Sequence, residues 1–327
     1  MLRFFRSSSS IVIIVIFLTG VLTWLHSLSG SALAPSGKYG TFMYRTLNGW
    51  LADTPGLHAW CGFVLFLLTP VLLTYANTRF RLIDKISYLP AFCYVLLIGG
   101  VPEIHMFNPA IIAAVLLVTG FIFLAESFES ERLSYSYFVA PVFISTAAFF
   151  YQYMYAYMLA VWLAIALYRP GYWREWVFSV LGFALPIFLA FSWFFLIDDD
   201  YTRLGVFFCE IFTIERIMPS VSIPTGIFIA LSIAIGILAL GHLLQYLRSK
   251  KVVIRNRYNI LIAVAGITVV QAFVVPDMIP LAWHLLAFPI SFILSCYLVA
   301  IRSIRWGTAV LLLLFVAVVI AQAMKNI

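Results

Sequence analysis

Leu133-Ser134-Tyr135-Ser136-Tyr137-Phe138-Val139-Ala140-Pro141-Val142-Phe143-Ile144-Ser145-Thr146-Ala147-Ala148-Phe149-Phe150-Tyr151-Gln152-Tyr153-Met154-Tyr155-Ala156-Tyr157-Met158-Leu159-Ala160-Val161-Trp162-Leu163-Ala164-Ile165-Ala166-Leu167-Tyr168 is a run of 36 residues without a charge. A bilayer core about 30 Å thick is crossed by about 20 helical residues, so the run is long for one span and short for two. Read as one span, it places Arg169 and Arg174 opposite the other basic loops. Read as a hairpin of two short helices turning near Tyr151-Gln152-Tyr153, it places them on the same side. The hairpin is the reading that keeps the basic residues together, and the remaining topology follows from it.

The surrounding composition sets the class. Of the 327 residues, 64% are hydrophobic and 10% charged, against roughly 25% charged in a soluble domain. The pattern predicts one integral domain over residues 1–327: an all-α, polytopic transmembrane helix bundle of about eleven spans. The net charge of +7 sits in short loops, where it sets orientation, and does not point to nucleic acid. Met1 to Leu25 reads as an uncleaved first span rather than a signal peptide, because many apolar spans follow. Cys61, Cys93, Cys209 and Cys296 show no paired spacing and read as small residues, three of them inside spans.

In chain order the spans fall near Ile11–Leu28, His58–Tyr75, Ile86–Val101, Ala110–Leu124, Ser136–Phe150, Met154–Leu167, Trp176–Ile197, Thr225–Leu247, Tyr258–Val275, Leu281–Ile301 and Gly307–Met324. The connection from Ser29 to Leu57 carries Phe42, Met43, Leu47, Trp50 and Leu51 at helical spacing, which predicts an amphipathic helix lying at the outer interface. Residues 201–223 carry Arg203, Glu210, Glu215 and Arg216. Each charge at a helix centre costs about 2.5–3.5 kcal/mol on insertion, so this stretch reads as a second outer interfacial helix. The N-terminus is then cytoplasmic and the C-terminus periplasmic in a bacterial inner membrane. The basic residues divide 15 inside against 5 outside, the asymmetry that orientation by positive charge requires.

No phosphate loop, dinucleotide fingerprint, HExxH or nucleophile elbow is present. The polar groups that could carry chemistry fall on the outer side, with eight of the thirteen carboxylates. Asp53 is the one acid of the first outer connection, where a turn role before Thr54-Pro55-Gly56 competes with that of a base. Glu103 and His105 alternate in a loop read as extended, which points both side chains the same way and suits a proton relay or a metal. Arg203 and Arg216 either pair with Glu210 and Glu215 or hold a lipid phosphate. Asp198-Asp199-Asp200 ends a span, either as a solvated terminus or as a cation site. Tyr153, in the alternating series from Tyr151 to Tyr157, marks the hairpin turn or lines a groove for a sugar or lipid. His242 reads as a packed residue, and His26 and His284 as interfacial ones. Trp24, Trp60, Trp173, Trp176, Trp193, Trp283 and Trp306 read as the interface belt. The pattern specifies neither a metal nor a cofactor.

Two stretches resemble a family. Tyr168-Arg169-Pro170-Gly171-Tyr172-Trp173-Arg174-Glu175-Trp176, with Gly182-Phe183, Pro186 and Phe194-Phe195-Leu196, is the first. Arg257-Tyr258-Asn259-Ile260-Leu261 with Leu286-Ala287-Phe288-Pro289-Ile290-Ser291-Phe292-Ile293-Leu294 is the second. Both look like an uncharacterised family of inner-membrane proteins from Bacteroidetes-type bacteria, and the likeness implies no activity. The layout also resembles, more loosely, the GT-C class of membrane glycosyltransferases that use polyprenyl-phosphate sugars. The long first outer connection, the outer turn ending in Asn108-Pro109, the short-helix hairpin and the basic turn from Arg169 to Arg174 carry that likeness. It implies Asp53 as catalytic base assisted by Glu103 and His105, with Arg203, Arg216, Tyr153 and Asn108 against a lipid-linked substrate. The class often has its acid near the end of the first span, where this chain has His26 instead. Two functions of different class therefore stand. One is a GT-C-like transferase, or a degenerate relative of one, acting on a polyprenyl-phosphate sugar at the outer leaflet. The other is a non-catalytic scaffold or partner subunit in cell-envelope assembly.

Overall fold

The computed structural model describes residues 10–28, 41–52, 54–83, 87–128, 135–198, 221–275, 279–301 and 303–324. Among them lie twelve α-helices and no strand. They are α1 (Ser10–Leu28), α2 (Phe42–Ala52), α3 (Pro55–Phe80), α4 (Leu89–Gly99), α5 (Pro109–Glu126), α6 (Ser136–Ala148), α7 (Met158–Tyr168), α8 (Trp173–Asp198), α9 (Ile223–Leu247), α10 (Val252–Val274), α11 (Ile279–Ala300) and α12 (Ile304–Met324). Short 3-10 helices at Pro102–Ile104 and Gln152–Tyr157 join α4 to α5 and α6 to α7. Seven helices are long and apolar enough to cross a membrane: α3, α5 and α8 to α12. The segments Ile11–Leu25, Leu89–Gly99, Ser136–Ala148 and Gln152–Tyr168 are apolar but shorter. In hydrocarbon each backbone polar group must be satisfied within its own segment, which is why so apolar a chain is helical.

The starts and stops follow local chemistry. Proline stands at the first or second position of α3, α4, α5 and α9, where its missing N–H is no loss. Asn108 caps α5, its Oδ1 accepting from the Ile111 N–H at 2.9 Å. Helix α3 ends at Arg81 in the left-handed region (φ 47°), a conformation usually left to Gly or Asn. The Arg81 N–H closes onto the Asn77 carbonyl, and the Asn77 side chain bridges the turn by donating to the Ser87 carbonyl and accepting from the Ile83 N–H.

Helix α11 is the axis. Its central window is 94% buried within the protein, against 17% for α8, and it is packed by α4, α5, α9 and α10. A helix apolar all round belongs in such a position. Helix α6 lies between α5 and α8, with α7 beside α10. Small residues let these backbones approach, as they do between membrane helices. A Cβ on Gly182 of α8 would lie 2.1 Å from the Phe138 carbonyl of α6.

Long-range contacts divide the bundle into two ends. At the first, the Arg257 guanidinium at the start of α10 donates to the Phe80 and Ala125 carbonyls at the ends of α3 and α5, each at 3.1 Å. Tyr168, closing α7, meets Asn259 there at 2.9 Å. At the second, His105 meets the Thr23 carbonyl late in α1, Gln322 late in α12 donates to the Gly99 carbonyl, and Gln271 late in α10 donates to the Tyr153 carbonyl. The Thr41 hydroxyl donates to the Phe149 carbonyl at this end as well. The turn between α6 and α7 is thus at the His105 end and Tyr168 at the Arg257 end, the arrangement that the hairpin reading requires. The helix expected from Phe42, Met43, Leu47, Trp50 and Leu51 is α2, seated with its Tyr44 hydroxyl donating to the Phe107 carbonyl at 2.9 Å. The second one, predicted over 201–223, lies outside the described residues except for its last three positions. Of those, Val221 and Ser222 precede α9 and Ile223 begins it.

Candidate functional site

The His105 end gathers most of the described polar candidates. After α4 the chain does not run extended through Glu103 and His105. Pro102 starts a 3-10 turn, and the two side chains diverge. The Glu103 carboxylate reaches across to the start of α9. Its Oε1 accepts from the Ser222 N–H at 3.1 Å, the Ser222 hydroxyl at 2.7 Å and the Thr225 hydroxyl at 2.8 Å. An acid there complements the positive end of the α9 dipole. The predicted common direction of this pair is therefore corrected by the turn that the proline imposes.

His105 is buried and points inward. Its Nδ1 lies 3.0 Å from the Thr23 carbonyl and its Nε2 2.9 Å from the Ile98 carbonyl. Only an imidazolium donates to both; a neutral ring satisfies one. Ile98 is in the last turn of α4, where the helix dipole favours a cation. The Trp24 ring stacks on His105 at 5.2 Å and 18°. Neither ring nitrogen is directed toward open space.

Asn108 is spent in the same way. While its Oδ1 caps α5, its Nδ2 donates to the Ile104 carbonyl at 3.0 Å and the Met106 carbonyl at 3.1 Å, and lies 3.3 Å from His284 Nε2. His284 also hydrogen-bonds the Ile104 carbonyl, which leaves Nδ1 as its other ring nitrogen. That Nδ1 is buried and meets no hydrogen-bond partner among the described residues. His284 was read as interfacial; it is fully buried in the axial helix α11. Trp24 and Trp283 likewise leave the interface belt for the core, Trp283 donating to the Leu97 carbonyl at 2.8 Å. Trp60, Trp173, Trp193 and Trp306 remain exposed, as a belt demands.

A second polar seam lies on the hairpin turn. The Tyr157 hydroxyl meets Thr268 at 2.7 Å, and Gln271 Nε2 donates to the Tyr153 carbonyl at 2.6 Å. The Tyr151 and Tyr153 rings are 5.2 Å apart. The Tyr155 hydroxyl and Gln271 Oε1 are buried with no hydrogen-bond partner among the described residues. Tyr153 therefore bonds α7's entry to α10 through its backbone.

Of the remaining candidates, Asp53, Arg203, Glu210, Glu215, Arg216, Asp199 and Asp200 lie outside the described residues. Among those described, no three His, Cys, Asp or Glu side chains converge as a metal site would require. The structure thus brings Glu103, His105, Asn108 and His284 into one region, and each of the first three is engaged in holding helix ends or loop carbonyls. The Arg257 end holds two polar groups that sequence reading left in solvated loops. One is Arg257 itself, buried, with Phe80 beneath it at 4.5 Å. The other is Glu175, whose Oε1 takes a 2.5 Å bond from Arg169. Burial disfavours the charge on Arg169, but the facing Glu175 carboxylate more than offsets it and holds the guanidinium above its ordinary pKa. The chain matches no protein-family model, no curated protein and no solved structure.

Proposed function

We propose that the protein is a non-catalytic multi-pass partner or scaffold in envelope assembly, built on the layout of a degenerate GT-C-like transferase. In this reading eleven spans cross a bacterial inner membrane, with the His105 end facing the periplasm. The observation that supports it is the commitment of Glu103, His105 and Asn108 to helix termini and loop carbonyls. A general base needs a lone pair within hydrogen-bond reach of its substrate. His105 and Asn108 are turned into the protein, and Glu103 is spent on the start of α9. Purification from native membranes should then recover a stable partner protein, and Glu103→Gln should keep that association.

The transferase reading survives on one feature. Helix α2 ends one residue before Asp53 and is bonded to the loop carrying His105 through Tyr44. Asp53 would deprotonate an acceptor hydroxyl while Arg203 or Arg216 holds the departing phosphate of a polyprenyl-phosphate sugar. Asp53→Asn separates the two readings. Loss of glycolipid product with normal expression would establish the transferase, and an unchanged phenotype with partner binding intact would establish the scaffold.

A further inference from the structure

Helices α1 and α12 each pack on α4, and a cleft of about 500 Å³ opens between them. Val95 and Leu96 of α4 form its floor, Leu22 of α1 one wall, and Phe315 and Val319 of α12 the other. It extends over about 9 Å of α1 and 12 Å of α12 at the ordinary helical rise. Leu22 and Val319 are 69% and 51% exposed, so the cleft opens sideways onto the medium around the bundle. For helices this apolar, that medium is hydrocarbon. Thr19 and Thr23 also line the space, but their hydroxyls donate back to carbonyls of α1. Water does not fill an apolar cavity, and an empty one forfeits the dispersion contacts of its walls.

One polar atom breaks the pattern, and it lies at the His105 end. Gln322 Nε2 donates to the Gly99 carbonyl at 2.6 Å and sits 3.5 Å from His105 Nδ1. That bond orients the amide and leaves Gln322 Oε1 as an acceptor at the head of the cleft. We infer that the cleft between α1, α4 and α12 is a binding site for one acyl chain of a phospholipid whose head group donates a hydrogen bond to Gln322. The chain fills the apolar length, and the amide selects a head carrying N–H over one carrying none. This site does not depend on whether the protein is a scaffold or a transferase.

The test uses the full chain in nanodiscs of phosphatidylethanolamine and phosphatidylcholine with the same acyl chains, and native mass spectrometry to count retained lipids. One retained lipid is expected, with the ethanolamine head favoured roughly fivefold, the worth of one hydrogen bond. Gln322→Leu should keep the lipid and lose the preference. Val319→Trp, or Leu22→Trp from the opposite wall should the first misfold, should lose the lipid. Val316→Trp, on the 52% exposed face of α12 and outside the cleft, should lose neither. A Val319→Trp protein that retains the lipid with unchanged preference would overturn the site. Equal retention of both heads by the unaltered protein would overturn the role of Gln322.

Discussion

At the Arg257 end, the buried polar group is a permanent cation set on the C-termini of α3 and α5. At the His105 end, a half-buried carboxylate sits on the N-terminus of α9, a buried asparagine on that of α5, and a buried imidazole on the last turn of α4. Both arrangements satisfy backbone groups that a helix end leaves without a partner, and both match the sign of the helix dipole. The difference is in how the bonds are supplied. A guanidinium keeps its charge and donates to two helix ends through one planar fork, whereas at the other end separate side chains each close one helix end. One end is closed by a single cation, and the other is assembled from several separate bonds. The Arg169–Glu175 pair adds a second ionic lock to the first end.

The comparison predicts that the ends lie on opposite faces of the membrane. In a background without native cysteines, Thr54→Cys should react with an impermeant maleimide on intact cells and Tyr172→Cys only after permeabilisation. Reaction of both from one side would abolish the distinction. Next in size is Arg257→Met, which strips donors from two buried carbonyls. A loss of about 3 kcal/mol is expected in detergent unfolding, since bonds from charged donors are each worth about 1.5–3 kcal/mol. Arg257→Lys should recover only part, because an ammonium cannot span both carbonyls as the fork does. Gly62→Ala probes how tightly the other end is packed. Its Cβ would fall 2.8 Å from the Phe107 backbone nitrogen, and overpacking of this kind costs about 1–3 kcal/mol. An unchanged unfolding midpoint would show that the loop carrying His105 yields freely. The smallest effect belongs to Glu103→Gln, which keeps acceptors for Ser222 and Thr225 but removes the charge at the α9 terminus. It should cost about 0.3–1 kcal/mol, more at low ionic strength than at high.

Some of this was legible in the order of residues and some was not. The hairpin could be read because a charge-free run of that length has few ways to keep Arg169 beside the other basic loops. Helix α2 could be read because its apolar residues recur with the helical period. The fate of Glu103 and His105 could not, because their alternation is a strand rule and Pro102 turns the backbone out of that regime. Arg257 is one of five cations between Arg248 and Arg257. Nothing local distinguishes the one that is buried, because its acceptors are 132 and 177 residues away in the chain. His284 and Trp24 were assigned to the interface for the same reason: position along a span gives depth in the bilayer and says nothing of what packs beside it.

The amino-acid order alone determined that the chain is helical, where its apolar segments lie, and which loops carry the positive charge, because hydrocarbon forbids unsatisfied backbone and charged residues resist crossing it. Only the tertiary structure decided which polar side chains are consumed in closing helix ends and which, like Gln322, line a cleft. Those roles are set by carbonyls and amides brought together from distant parts of the chain, and no local pattern encodes that meeting.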